Sequence, residues 1–257
     1  MEKSNIGEKI KLLTGNGMWH TQEVEGLPSV HLSDGPHGLR KQEEKERQNN
    51  VSLVSTCYPT ASALACSWDV TAAERLGRAV AKEAWNADVA VLLGPGINMK
   101  RSPLCGRNFE YFSEDPFLTG RLGAAYVSAA QGENVAVSLK HFAANNQETN
   151  RQTSNSQIDE RALREIYLSA FEYVVKTTRP ATVMASYNRL NGYYACENRH
   201  LLTEILREEW GFDGVVISDW GACADLAKAV KAGMDLEMPD SHGIHARKLK
   251  AALKAGE

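Results

Sequence analysis

Several absences narrow the reading of this chain. No apolar run approaches the ~20 residues of a membrane span. The opening MEKSNIGEKIKLL is too charged for a signal peptide. The five cysteines, Cys57, Cys66, Cys105, Cys196 and Cys223, are odd in number and scattered, with no CxxC. That pattern argues against a disulfide framework or a zinc site and fits reduced thiols in the cytoplasm. Basic residues do not cluster or interleave with aromatics, and the formal net charge is -3, so no nucleic-acid surface is expected. Gly15-Asn-Gly17-Met-Trp-His is not GxGxxG and follows a helix-like segment, which argues against a doubly wound dinucleotide-binding sheet. His242 and His245 have no third ligand at suitable spacing, so they read as surface histidines; neither metal nor cofactor is expected.

What is present is a chain of 257 residues, 43% hydrophobic and 24% charged, enough for a single domain with one large core. Strand-like runs cover Pro28–Ser33, Ala87–Leu93, Val135–Leu139, Thr182–Ser186, Gly214–Ser218 and Met234–Met238. Helices are predicted between them. Thr71-Ala-Ala-Glu74 reads as a capping box opening a helix to about Ala87. Pro116 opens a second, to about Gln131. Asp159 caps the longest, with Leu163, Ile166, Tyr167, Ala170, Phe171 and Val174 on its apolar face. Leu201–Trp210 and Ala224–Ala232 each stop at a glycine, Gly211 and Gly233. Lys41–Asn50 reads as a charged surface loop, and no internal repeat is evident. The alternation of strand and helix predicts a parallel sheet with helices outside it, α/β in class. A TIM-type (β/α)8 barrel fits this length. Six strand candidates against its eight leave open whether the barrel is complete at its C-terminal end.

The strand ends are polar. Pro28–Ser33 runs into Asp34, Val135–Leu139 into Lys140-His141, Thr182–Ser186 into Tyr187-Asn188, and Gly214–Ser218 into Asp219-Trp220. One polar strand end is ordinarily a turn, and Asp219 alone would read as a helix cap. Parallel strands, however, bring all such ends to one mouth, where barrels carry their active sites. An acid beside an indole suits a carbohydrate, because the indole packs on a sugar face.

The motifs DGPHGLR (34–40), GRNFEYFSEDP (106–116), KHFAANNQETNR (140–151), DERALREIYLSAFE (159–172), SYNRLNG (186–192) and GFDGVVISDWGA (211–222) resemble the N-terminal barrel of glycoside hydrolase family 3, in its β-glucosidase branch. The resemblance runs from about Leu12 onward. It implies that Asp219 is the nucleophile of a retaining glycosidase, with Trp220 beside the sugar. It implies that Asp34 accepts from hydroxyls far from the anomeric carbon, and that Arg107, Lys140, His141 and Arg151 bind hydroxyls of the same subsite. Tyr187 corresponds to a tyrosine close to the nucleophile. Arg107 also fits a structural partner of Glu110 or Glu114, and Lys140 a Schiff-base lysine, although His141 and the Asn-rich sequel suit hydroxyl binding better. Glu148 has no assigned role.

A retaining glycosidase needs two carboxyl groups about 5–5.5 Å apart. Arg and Lys nearby are expected to favour ionised Asp219. In this branch of the family the acid/base glutamate comes from an α/β-sandwich domain after the barrel, which is absent from these residues. After Lys140-His141 the chain reads FAANNQETNR, without the Asp-Ser-His motif that the amino-sugar branch carries on a barrel loop. The expectation is therefore a β-glucosidase barrel that depends on another domain or a partner chain and is a poor catalyst alone. A non-catalytic sugar-binding subunit or inactive fragment, and a β-xylosidase or related β-glycosidase, stand as alternatives.

Overall fold

The computed structural model describes residues 6–42 and 51–256. Most of the charged segment predicted over Lys41–Asn50, and the first residues of the charged opening, lie outside these.

Five parallel strands form the central sheet: β1 (Leu32–Asp34), β2 (Val91–Leu93), β3 (Ala136–Phe142), β4 (Thr182–Ala185) and β5 (Val215–Ser218). Their spatial order is β5-β4-β3-β2-β1, all parallel. This order follows the chain without reversal. A doubly wound sheet reverses at a switch point; winding in one direction is the TIM-type arrangement.

The side chains alternate as a sheet covered on both faces requires. Val91, Leu93, Met184 and Ile217 point inward, to a cluster with Leu32, Leu236 and Met238. Their neighbours Leu92, Val137, Val183 and Val216 point outward, into the larger core under the helices.

No regular eight-stranded closed barrel appears among the described residues. Instead, irregular segments link the two edges of the sheet. Ser218 N–H donates to Leu236 C=O (2.9 Å), Glu237 N–H to Leu13 C=O (2.9 Å), and Leu32 N–H to Trp19 C=O (2.8 Å). A short hairpin, Gly15–Asn16 with His20–Thr21, connects the last two contacts. The strand predicted over Met234–Met238 is thus a correction: it makes only isolated bridges, Leu236 to Ile217 and Glu237 to Thr14. The Asp235 carboxylate takes the Val216 N–H (2.7 Å) and so interrupts a backbone ladder there.

The helices cover the outer face. Helix α1 (Val70–Asn86) starts before the predicted capping box: Asp69 is the cap, its carboxylate accepting from Thr71 N–H at 2.8 Å. Helix α2 (Pro116–Gln131) is capped by Asp115, with proline at its first turn, where a missing N–H costs nothing. These two helices pack so closely that a Cβ on Gly77 would lie 2.4 Å from the Tyr126 carbonyl oxygen.

Asp159 caps as predicted, accepting from Ala162 N–H at 2.9 Å. The helix beyond it is not uniform. Leu168 N–H donates to Leu163 C=O, five residues back (2.8 Å), before helix α3 (Ser169–Thr178) begins. The wide turn rotates the apolar stripe, so Ile166 is 42% exposed rather than buried. A second wide-turned helix, His200–Glu209, and helix α4 (Leu226–Ala232) precede the last described helix, α5 (Ile244–Ala255). None of the described helices is long and apolar enough to cross a membrane.

Candidate active site

Four strand ends meet at one mouth. Asp34 closes β1, Tyr187 lies just beyond β4, and Asp219 directly follows β5. Strand β3 is longer than its sequence suggested. It runs through Phe142, so Lys140 and His141 are strand residues rather than a turn after the strand. Both are buried, against the usual rule for lysine, because anions surround the ammonium.

Lys140 Nζ stands 3.6 Å from Asp34 Oδ1 and 3.5 Å from Glu110 Oε2. Arg107 joins Glu110 through Nε and reaches Asp219 Oδ2 with Nη1 at 3.7 Å. His141 Nε2 lies on the same carboxylate oxygen at 3.7 Å. Asp34 is also approached by Arg40, at 3.8 Å. The two readings of Arg107 are therefore compatible: one guanidinium pairs with Glu110 and faces Asp219.

Asp219 is buried, and its two oxygens differ. Oδ1 accepts from the Trp220 N–H at 2.7 Å. Oδ2 has no hydrogen bond among the described residues, and neither has His141 Nε2. Burial pushes the Asp219 carboxyl above its ordinary value, and Arg107 and then Lys140 oppose that shift without cancelling it. The expected help of the cations is present, but it works against a larger desolvation. Burial drives His141 well below the usual imidazole range, and Arg107, Lys140 and Arg151 add to this, so the ring is neutral. Burial and the neighbouring Asp219 raise the Tyr187 phenol.

The remaining candidates form the rim. The Tyr187 hydroxyl donates to the Trp220 carbonyl (2.9 Å), which ties β4 to the loop carrying Asp219. Arg151 lies over the Tyr187 ring, 4.3 Å from its centroid, and bonds Glu148 at 3.0 Å. The Trp220 indole donates to Met18 C=O (2.8 Å) and packs against Trp19, centroids 5.3 Å apart.

Three residues not singled out from the sequence, Asn98, Tyr111 and Asn145, complete the site together with Glu110, expected only as a pairing partner of Arg107. Glu110, 3% exposed, joins Lys140 and Arg107. Those cations outweigh the burial and hold its carboxyl below the ordinary value. Asn98 clamps the backbone of His141 from both sides, donating to its C=O (2.8 Å) and accepting from its N–H (2.7 Å). The Tyr111 hydroxyl reaches the imidazole ring at Nδ1, and Asn145 reaches that hydroxyl. The lone available signal for Glu110 was its spacing from Arg107, three residues on.

One expectation needs correction outside the mouth. His245 is half-buried and hydrogen-bonded to Glu237, so it is not a free surface histidine. Its ligand atoms and those of Glu237 and Cys223 lie within 4.8 Å of one another. Glu237 and His245 already satisfy each other, which accounts for the grouping without an ion.

Residues 36–257 match the family described as "Glycosyl hydrolase family 3 N terminal domain". The chain belongs to glycoside hydrolase family 3. This family 3 domain is 52% identical, over its whole length, to 35% of "Thermostable beta-glucosidase B" from Acetivibrio thermocellus. It is 50% identical, over 92% of its length, to 32% of "Exo-alpha-(1->6)-L-arabinopyranosidase" from Bifidobacterium longum. Among solved structures, a β-glucosidase from Kluyveromyces marxianus in complex with glucose superposes with a TM-score of 0.94. It shares 41% identity over the whole chain and 31% of its own length. The domain thus spans about a third of the length of the curated relatives it matches.

Proposed function

We propose that these residues are the nucleophile-bearing part of a retaining β-glucosidase acting on terminal, non-reducing β-D-glucosyl residues. The observation that carries the reading is the buried Asp219 Oδ2, without a hydrogen bond and faced by Arg107 and His141 at 3.7 Å each. A nucleophilic oxygen needs a lone pair free to attack; Oδ1 is already engaged by the Trp220 N–H. Relatives named as β-glucosidases, one of them with glucose bound, support the sugar.

In this reading Asp219 attacks the anomeric carbon and forms a covalent glycosyl-enzyme, which water then hydrolyses. Trp220 packs on the sugar. Asp34 accepts from hydroxyls, while Arg107, Lys140, His141 and Arg151 donate to them. Charge-assisted bonds of this type discriminate between epimers, since a misplaced hydroxyl leaves a buried polar group unpaired. Only contacts that tighten toward the oxocarbenium-like transition state accelerate the reaction.

The proton donor is proposed to come from outside these residues, from another domain or a partner chain. Glu110 sits between Arg107 and Lys140, which hold it ionised, so it is unsuited to give a proton. Without a general acid the rate falls by about 10²–10⁴-fold. That also supports a second reading for the 257 residues alone, a sugar-binding but inactive fragment. A third reading changes the sugar: a relative named as an exo-α-(1→6)-L-arabinopyranosidase, at 50% identity, supports keeping other pyranosides, a β-xyloside among them, as candidates. The unpaired thiols support a reducing, cytoplasmic setting.

The test is Asp219→Gly in the complete enzyme, assayed on aryl β-glucoside, xyloside and galactoside. Loss of turnover on all of them is expected, with the glucoside the best substrate of the parent. Retained turnover would remove Asp219 from the nucleophile's place.

A further inference from the structure

The His141 ring is neutral and fully buried, so its chemistry depends on which nitrogen carries the proton. A chain of hydrogen bonds decides this. Glu148 Oε1 faces the Asn145 side-chain nitrogen at 3.0 Å. A carboxylate accepts only, so it fixes the Asn145 amide with Nδ2 toward Glu148; the flipped amide would set two oxygens against each other. Arg151 holds Glu148 in turn, at 3.0 Å. The same Asn145 Nδ2 lies 3.1 Å from the Tyr111 hydroxyl and donates to it. That hydroxyl lies 3.0 Å from His141 Nδ1. With one neighbour donating to it, the phenol finds its only acceptor among these partners in Nδ1. The proton of the imidazole is thereby left on Nε2, the nitrogen facing Asp219 Oδ2.

We propose that Glu148, Asn145 and Tyr111 are positioning residues that lock His141 as the Nε2–H tautomer, a dedicated donor beside the nucleophile. His141 Nε2 and Asp219 Oδ2 both lack a hydrogen-bond partner among the described residues and stand 3.7 Å apart. Such a pair suits a bound sugar: one hydroxyl accepts from Nε2–H, and Oδ2 is left free for the anomeric carbon. An imidazole with the opposite tautomer would compete with the carboxylate as an acceptor. Glu148 thus acquires a role that its sequence context did not suggest. The functional meaning of the tautomer rests on Asp219 being the nucleophile; the tautomer itself does not.

The experiment uses the complete enzyme with isotope-labelled histidine nitrogens, comparing wild type with Tyr111→Phe. In the wild type, the resonance lost in His141→Ala is expected to show a pyrrole-type Nε2 and a pyridine-type Nδ1 that do not titrate around neutral pH. In Tyr111→Phe the two nitrogens are expected to shift toward each other as the tautomers mix. Turnover on an aryl β-glucoside should then fall about 10- to 100-fold in kcat/KM, the consequence of one unpaired buried group. A wild-type His141 protonated on Nδ1, or one that titrates near neutrality, overturns the proposal whether or not Tyr111→Phe folds. If the tautomer is as stated but Asp219→Gly retains turnover, the fault lies with the nucleophile and not with the relay.

Discussion

Glu110→Gln is the substitution that tests the electrostatic frame of the mouth. The carboxylate is 3% exposed and shared by Arg107 and Lys140, with Lys140 Nζ at 3.5 Å. At that distance, with an effective dielectric near 20, one pair is worth about 4–5 kcal/mol before desolvation. Removing one partner of a buried pair typically costs about 3–5 kcal/mol, because the other charge stays buried and uncompensated. Here the cations keep other anions: Lys140 retains Asp34 at 3.6 Å, and Arg107 retains Asp219 at 3.7 Å. The loss should therefore sit at the low end, about 3 kcal/mol. Freed from Glu110, the two cations are drawn onto Asp34 and Asp219, away from the positions in which they would hold a sugar. A displacement of about 1 Å near a reacting centre can cost about 10²-fold in rate. Denaturant unfolding and kcat/KM on an aryl β-glucoside, measured on the same preparation, check both numbers. A stability loss below about 1 kcal/mol, the worth of an exposed pair, together with unchanged kcat/KM, would refute the reasoning.

Asp219→Asn should stabilise the fold at neutral pH. The Asp219 carboxyl is raised by burial, so the stability it contributes is present at pH below the ordinary unfolded value and is lost as pH rises through its raised one. Thermal melts of the two proteins should differ most at neutral pH and converge in acid; a gap that widens in acid would contradict the shift. Gly77→Ala should destabilise by about 1–3 kcal/mol through overpacking, because its Cβ meets the Tyr126 carbonyl at 2.4 Å. Chemical denaturation checks this, and a neutral effect would mean that the contact between α1 and α2 is looser than described.

Much of this architecture was legible because strand ends and β-branched runs are local signals. Val215–Ser218 with Asp219 behind it is visible from composition alone. The extent of β3 was not, because Lys140 and His141 are polar and a strand carrying them looks finished at Leu139. Their burial depends on Glu110 and Asp34, far away in the chain. The run Met234–Met238 reads as a strand by pattern, but Asp235 takes the Val216 N–H that a ladder would need. Ile166 fits the helical stripe in sequence, and a single five-residue turn moves it outward. Asn98, Tyr111 and Asn145 were not legible as site residues: each acts through a bond to His141 or its partners that exists only once the segments following β2 and β3 are folded together.

Covalent trapping identifies the carboxylate that attacks the sugar. A slow, fluorinated aryl β-glucoside would be incubated with the complete enzyme, and the digested peptides weighed by mass spectrometry. One glycosyl adduct per chain is expected, on the Asp219 side chain, formed more slowly in Tyr111→Phe. An adduct on Glu110 or Glu148, or full turnover with no adduct at any carboxylate, would contradict this assignment.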